Sequence, residues 1–406
     1  MNFIFVSPNF PERNYKWVEA LRERGVNVLG IGDTPVWNIH DRLKKALTEY
    51  YYVWDMNNHG LMDKAVEYYQ SKYGKIDFIE SNNEWWLTED ARLRERFGVV
   101  TGFHPSDMEH IKAKSAMKEY FQKAGVKTMR YLVVSGKQDK EAATEFVKSV
   151  GYPVFVKPNI GVGAADSHSL HNQEEFDAFF EKVLPEPYIM EEYIDGRIVS
   201  FDGVCNDEGD VVFCTTDHFP VAVAEILNAH EDHMYYDVPF GLKMSDIDQV
   251  AFEAAGRAVV KAFGIRKRVF HIEFFVLNAD KPGFAKKGEF VALECNMRAP
   301  GGYTVDLIDY ANSASVYQIY ADIICFNENR QYMGYPKHYS LAVHRRDEYQ
   351  YVHSDEEVLE KFADSIKMHG RYPDHIAAVM GNRYFFAIFD DFEKGLEFDK
   401  FVRLKK

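Results

Sequence analysis

The chain predicts an α/β fold, with a parallel sheet at its N-terminus and antiparallel pairs after it. Over residues 1–105 short apolar strands alternate with amphipathic helices, the order that builds parallel sheets. From 269 to 302 the pattern changes. V-F-H-I-E-F-F-V-L-N and E-F-V-A-L-E-C-N-M-R flank a Lys/Pro/Gly turn at 281–288, which reads as an antiparallel strand pair. Those two runs also contain Glu273, Glu294, Asn296 and Arg298. A carboxylate in an apolar strand is costly unless a cation or hydrogen bonds compensate it.

In chain order, Phe3 to Val6 reads as a buried strand and Glu12 to Arg24 as a helix stopped by Gly25. Val26 to Ile31 is the next strand, Leu61 to Tyr73 a helix stopped by Gly74, Ile76 to Ile79 a strand and Glu84 to Phe97 a helix. S-P-N-F-P-E follows the first strand, so no dinucleotide fingerprint stands there. Glu80 to Glu84 follows a strand, and reads as a helix cap or as a rim contact at the carboxyl end of the sheet. Pro105-Ser106-x-x-Glu109 predicts a capping box opening a helix to about Ala124. Its Lys112, Lys114, Lys118 and Lys123 read one by one as solvated. Met129 to Val134 is a strand, Lys140 to Val150 a helix, Pro153 to Lys157 a strand, Glu174 to Val183 a helix and Tyr188 to Glu191 a strand. Two strands between Arg197 and Thr216 enclose a turn at Asn206 to Gly209. Asp217 to Phe240 reads as irregular and rich in His, Tyr and acids. Ser245-x-x-Asp248 caps a helix to about Phe263, with a packed stripe expected at 247, 250, 251, 254, 258 and 262. A Tyr-rich helix spans about Thr304 to Cys325. Pro336 marks a boundary, after which strands (Ser340 to His344, Arg383 to Phe389) and a helix beyond Asp391 follow.

Composition narrows the partners. With 48 basic and 63 acidic side chains among 406 residues, the net charge is −15. A generally acidic surface repels nucleic acid and anionic membrane, so neither is expected as a partner. No apolar run reaches the ~20 residues of a membrane helix. Cys205, Cys214, Cys295 and Cys325 form no C-x-x-C pair and read as reduced thiols, which with the absence of a signal peptide predicts a cytoplasmic protein.

Three motifs carry chemistry. Glu294, Asn296 and Arg298 alternate and share a face if the strand reaches that far. Together with Glu273 they offer hard oxygen ligands suited to magnesium, or else ordinary salt bridges. Y-P-V-F-V-K-P ends at Lys157 and leads into N-I-G-V-G-A-A, where a lysine and close-approaching backbone N–H groups suit an anion, as they equally suit a turn. Tyr188-Ile-Met-Glu-Glu-Tyr-Ile reads as an adenine-sized apolar wall with a free backbone edge, or as an exposed strand end. His230-x-x-His233 is a weak metal pair that reads better as polar surface. His168 is a candidate for phosphate contact. His271, two residues before Glu273, faces the same way and is a candidate lining residue.

In this order, a helix lysine, a strand lysine with its small-residue loop, E-E-Y-I, H-I-E and E-C-N-M-R, the chain resembles the ATP-grasp superfamily, in particular its carboxylate–amine ligase branch, and carbamoyl-phosphate synthase large-chain ATP-binding folds. The resemblance implies an N-terminal α/β domain (1–105), a two-lobed ATP-grasp domain (106–335; small lobe about 126–195, larger lobe about 196–335) and a small C-terminal α+β region (336–406). It assigns ATP contacts to Lys114, Lys157, Gly161, Gly163, Ala164, Glu191, Glu192, Tyr193 and Ile194. One or two Mg2+ ions, with Mn2+ as a substitute, fall to Glu273, Glu294 and Asn296. Catalytic roles fall to Lys157 and Arg298, and substrate contacts to Arg298, Gly301, Gly302 and His271. His218 lies in a segment where the resemblance implies substrate contacts. The implied reaction activates a small carboxylic acid, such as an amino acid, as an acyl-phosphate that an amine displaces. Carbamoyl-phosphate-synthase-like or purine-biosynthetic chemistry, and non-catalytic ATP binding, are the alternatives. A homodimer is common in the family. Members place a ribose-binding glutamate seven residues past the first hinge acid. Ile198 stands there, leaving Glu192, Asp195 or Asp202 for the ribose.

Overall fold

The computed structural model describes residues 1–161, 166–182, 184–221, 231–244 and 247–406. Strands β1 (Asn2–Val6), β2 (Asn27–Gly32), β3 (Glu49–Tyr52) and β4 (Phe78–Glu80) form a wholly parallel sheet in the order β3-β2-β1-β4. Helices α1 (Tyr15–Glu23), α2 (Asp41–Ala46), α3 (His59–Tyr73) and α4 (Leu87–Phe97) flank it. Phe3, Phe5 and Val28 pack with the α1 and α2 side, and Ile4, Val6 and Leu29 with the α3 and α4 side. Both faces are covered, which is why these strands read as unbroken apolar runs. The pair α2–β3 has no counterpart in the sequence reading. T-E-Y-Y-Y has weak periodicity, and its Glu49 is held by Lys72, Tyr68 and Tyr73 of α3.

The helix expected from 105 to 124 is broken. Met108–Lys112 (α5) and Lys114–Lys123 (α6) are separated by Ala113, which is extended at φ −85°, ψ 114°. The capping carboxylate is Asp107, which accepts from the His104 N–H at 2.8 Å; Glu109 does not take that role. Strands β5 (Tyr131–Val134), β6 (Val154–Pro158), β7 (His168–Leu170) and β8 (Tyr188–Glu192) form an antiparallel sheet in the order β5-β8-β6-β7. Helices α7 (Lys140–Val150) and α8 (Gln173–Glu181) back it through Val147, Phe176, Phe179 and Phe180.

The third sheet has eight strands: β9 (Gly196–Cys205), β10 (Val211–Phe219), β11 (Met234–Val238), β12 (Arg268–Leu277), β13 (Phe290–Asn296), β14 (Tyr339–Arg345), β15 (Ile366–Arg371) and β16 (Arg383–Phe389). Their order is β13-β12-β9-β10-β11-β14-β16-β15. So 217–240 is not irregular throughout: β10 runs to Phe219 and β11 lies within it. Ser245 falls outside the described residues, and Asp248 caps α9 (Gln249–Ala262) by accepting from the Val250 and Ala251 N–H groups. The expected stripe is misplaced. Phe252, Gly256, Val259 and Val260 face inward, while Val250, Ala251 and Ala254 are exposed. Alanines 251, 254, 255, 258 and 262 gather on one side of the helix and draw the expected stripe toward it. The Phe201 ring lies where a Gly256 Cβ would stand, 2.3 Å away, so that face must turn inward. The helix expected over 304–325 is two, α10 (Thr304–Asn312) and α11 (Val316–Phe326), split at left-handed Ser313. The region from 336 adds α12 (Asp355–Lys361), α13 (Asp374–Met380) and α14 (Phe392–Arg403), and its strands extend the large sheet through β11–β14 pairing.

A buried ion cluster joins the first sheet to the third. Glu80, at the end of β4, takes Arg94 of α4 at 2.6 Å and Arg268 of β12, all three nearly solvent-free. Arg268 also donates to the Met297 carbonyl at 2.9 Å, and Arg94 to those of Ile79 and Phe103. Removing one partner from a buried cluster strands the others without solvent. Glu80→Ala is therefore expected to cost about 3–5 kcal/mol in urea unfolding; a loss within 0–1 kcal/mol, as exposed pairs give, would contradict this.

Candidate active site

β12 lies between β13 and β9, and its register places side chains directly across from one another. Glu273 is opposite Glu294, His271 opposite Asn296, and Ser200 and Asp202 continue the two rows on β9. All six share one face of the sheet. Like charges directly opposite destabilise a strand pair, and each carboxylate here has its own cation. Lys114 Nζ lies 3.5 Å from Glu294, and His271 Nε2 3.0 Å from Glu273. The other nitrogen of His271 is 2.7 Å from Asp202. Burial alone would lower the His271 pKa, but Asp202 and Glu273 outweigh it and hold it at about 9, so the ring is an imidazolium at neutral pH. Burial raises Glu273, and the hydrogen bond and charge of His271, with Arg298 and Lys157, more than reverse that.

β13 ends at Asn296, so Arg298 sits in the following loop rather than on the strand. It nevertheless stays beside the face: Nη2 donates to Asn296 Oδ1 at 3.4 Å, Nη1 to the Ala299 carbonyl, and Nε is 3.5 Å from Glu84. Burial raises the pKa of Glu84, with Arg298 acting against it. Of the segment 80–84, then, the first residue is structural and the last meets the site.

The break at Ala113 makes Lys114 the first residue of α6. Its ammonium reaches both Glu294 and the Gly161 carbonyl, the latter at 3.1 Å. Gly163 and Ala164 lie outside the described residues. Lys157, on β6, is buried and 2.8 Å from Glu191. The sequence reading missed Lys118: it is fully buried and shares Glu191 at 2.5 Å. Its spacing of four from Lys114, which puts both on one helix face, was the available signal. Burial pushes Glu191 up, but Lys118 and Lys157 together overcome this and bring it to about 2. Glu192 turns the other way and takes Arg130 at 2.8 Å and Lys281 at 3.2 Å. Tyr193 is exposed and its carbonyl accepts from Lys281 at 2.6 Å, while Ile194 is buried with Met129, Leu277 and Val291. Ile198 stands between Phe275 and Phe219 in the sheet register. Of the three acids considered in its place, Glu192 and Asp202 are buried in ion pairs, and Asp195 is exposed, accepting from Asn278.

Gly301 and Gly302 are exposed in the turn before α10, with Gly302 left-handed at φ 60°. His168 is exposed on β7. The polar-surface reading of His230 and His233 does not hold for the second: His233 is buried and stacked 4.4 Å from His344, and His230 lies outside the described residues. His218 stacks on Tyr236 on the sheet face opposite Asp217. Among the described residues no three His, Cys, Asp or Glu side chains form a metal cluster. Glu273, Glu294 and Asn296 are instead two carboxylates and an amide, a hard oxygen set. The two carboxylate side chains are 26% and 22% exposed.

Lysines from one helix and one small sheet thus face paired acids on a larger sheet, which defines a class of protein that grips an anionic ligand between two antiparallel sheets. Residues 150–304 match the family model of the ATP-grasp domain. The whole fold resembles an L-amino acid ligase from Bacillus licheniformis, with TM-score 0.73 over 98% of this chain and 96% of that one, at 16% identity. It also resembles the biotin carboxylase domain of Hydrogenobacter thermophilus 2-oxoglutarate carboxylase in complex with MgADP, with TM-score 0.70 over 99% and 90%, at 16% identity. An alanine–anticapsin ligase of Bacillus subtilis (strain 168) is 22% identical over 276 residues, covering 62% of this chain and 55% of that relative. The chain spans about half the length of that curated relative. The family match covers residues 150–304, and over the rest of the chain the likeness is one of fold.

The depressed Glu191 pKa gives a signed expectation. Its contribution to stability is complete above its unfolded value, near 4.5, and is lost as pH falls toward about 2. Wild type should lose about 1.4 kcal/mol per pH unit relative to Glu191→Gln across that window, measured by urea unfolding. Parallel pH dependences would remove the two-lysine assignment.

Proposed function

We propose that this protein is an ATP-dependent ligase that activates a carboxylic acid as its acyl-phosphate and joins it to an amine, releasing ADP and phosphate. The observation that carries this reading is the cation arrangement around the paired acids. Lys114 bridges Glu294 and Gly161, Lys157 stands at the head of the same loop, and Arg298 lies beside Asn296. The named ligase among the structural relatives, and the MgADP of another, support it. Glu273, Glu294 and Asn296 suit Mg2+ or Mn2+, since they are hard oxygen donors and both carboxylates keep some exposure. Such a metal would supply neutralisation of phosphate oxygens.

The chain's own groups do the rest. Lys114 and Lys157 stabilise negative charge at the transferred phosphoryl group. To reach a nucleotide, Lys114 exchanges its contacts with Glu294 and Gly161 for phosphate oxygens. Glu191 keeps Lys157 and Lys118 charged and in place, since without it burial would favour their neutral forms. Asp202 fixes one nitrogen of His271, so the other stays directed at Glu273. Arg298 holds the acid substrate, and Glu84 opposite it restrains the guanidinium. Gly301 and Gly302 leave the approach to Arg298 clear of side chains. No side chain is required as a covalent nucleophile.

Ile198, with aromatic neighbours where the family has a ribose acid, favours one second reading: nucleotide binding without turnover. Magnesium-dependent ADP release by the purified chain, assayed with pooled carboxylic acids and amines, separates the two. ADP release should need an added acid and fall at least about 100-fold in Glu294→Ala. Release that is unchanged in that variant would remove the metal assignment. Nucleotide binding with no turnover on any pool would favour the second reading.

A further inference from the structure

Of the five tryptophans, three are strongly exposed: Trp37, Trp54 and Trp85, at 80%, 68% and 65%. All three follow a strand of the parallel sheet, as do half-exposed Phe10, Val36 and Tyr52 at its loops and strand end. Strands in a parallel sheet all end at one edge. The order β3-β2-β1-β4 therefore sets these residues in a row, Trp54 and Tyr52, then Trp37 and Val36, then Phe10, then Trp85. At a strand spacing of about 4.8 Å the row spans about 14 Å. Its loops are tied together, since Asn9 donates to Thr34 at 2.5 Å and Asn83 to the Phe10 carbonyl at 3.4 Å. Scattered exposed apolar residues need no explanation, but three tryptophans on one edge are a binding surface.

The row runs into the candidate active site. Trp85 follows Glu84, whose carboxylate faces Arg298, and the carboxyl edge of a parallel sheet is where open α/β sheets take ligands. A second copy fits less well. A two-fold contact would set the patch against itself, together with Glu12, Asp33 and Asp55 of the same loops.

We propose that the acid held by Arg298 carries an extended alkyl or aryl body that lies along Trp85, Phe10, Trp37 and Trp54. This rests on the ligase reading above and names its substrate class: a monocarboxylate with a long apolar body, not a short polar amino acid. The head is read by charge at Arg298 and the body by stacking and apolar burial, so length sets the affinity.

Calorimetric titration of the full chain with n-alkanoates and with ω-phenylalkanoates of increasing length, each with and without Mg·ADP, tests this. Affinity should rise about fourfold per methylene, the ~0.8 kcal/mol of a buried CH2. The steeper of the two series distinguishes an alkyl from an aryl body. Trp85→Ala and Trp37→Ala should weaken the longest acids at least about tenfold while leaving Mg·ADP binding unchanged. Arg298→Met should weaken every length by one common factor. A flat length series with Mg·ADP still bound overturns the inference and leaves the ligase reading standing. Length dependence without any Mg·ADP binding supports the row and removes the ATP reading. A concentration-dependent dimer in sedimentation, lost in the tryptophan variants and unaffected by acids, assigns the row to a second copy and overturns the inference.

Discussion

Two carboxylates stand directly opposite each other on adjacent strands, Glu273 on β12 and Glu294 on β13. That arrangement is unfavourable by itself, and much of the surrounding structure answers it. Asp202 on β9 holds the imidazolium that neutralises Glu273. The kink at Ala113 starts a second helix at Lys114, whose ammonium then meets Glu294. His271 is pinned by Asp202, whereas Lys114 stands 3.5 Å from Glu294, and each acid keeps some exposure. Carboxylates held this way can exchange one positive partner for another without rebuilding the sheet.

A second set of charges is held differently. Glu191 between Lys118 and Lys157, and Glu80 between Arg94 and Arg268, are almost without solvent. Buried clusters of this kind add little net stability relative to an apolar core, yet they tolerate no loss of one partner. They fix register, the first between α6 and the small sheet, the second between the parallel sheet and the large one. The distinction between open pairs and closed clusters separates residues that can exchange partners from those that position them.

The strand–helix alternation of the N-terminal part and the antiparallel pair at 269–302 were legible because both are patterns of local period. So were the acids inside that pair, which had no apolar reason to be there. Lys118 was legible only through its spacing of four from Lys114, because a lysine on an amphipathic helix is usually solvated and its burial depends on Glu191, distant in sequence. The stripe of α9 was misread for a related reason: its alanines gather on one side, while a ring from β9 against Gly256 turns the neighbouring side inward. The extended residue at 113 has no sequence marker, since alanine is the best helix former; the Asn159 carbonyl that accepts from the Lys114 N–H supplies the alternative bond. β11 hid in a stretch of mixed His, Tyr and acids because its alternation serves two different faces of the sheet.

The pairing of β14 with β11 carries a consequence for the life of the chain. As the polypeptide is synthesised, β9 to β13 emerge well before residue 339, and until then β11 is an unsatisfied sheet margin with free N–H and C=O groups. A ribosome-bound or prematurely terminated chain ending near Pro336 would offer that margin to any extended segment nearby, its own or a neighbour's. The last sixth of the protein thus covers that margin during biogenesis, and a shortened version trimmed to the nucleotide-gripping part would need a substitute for β14 to cover it.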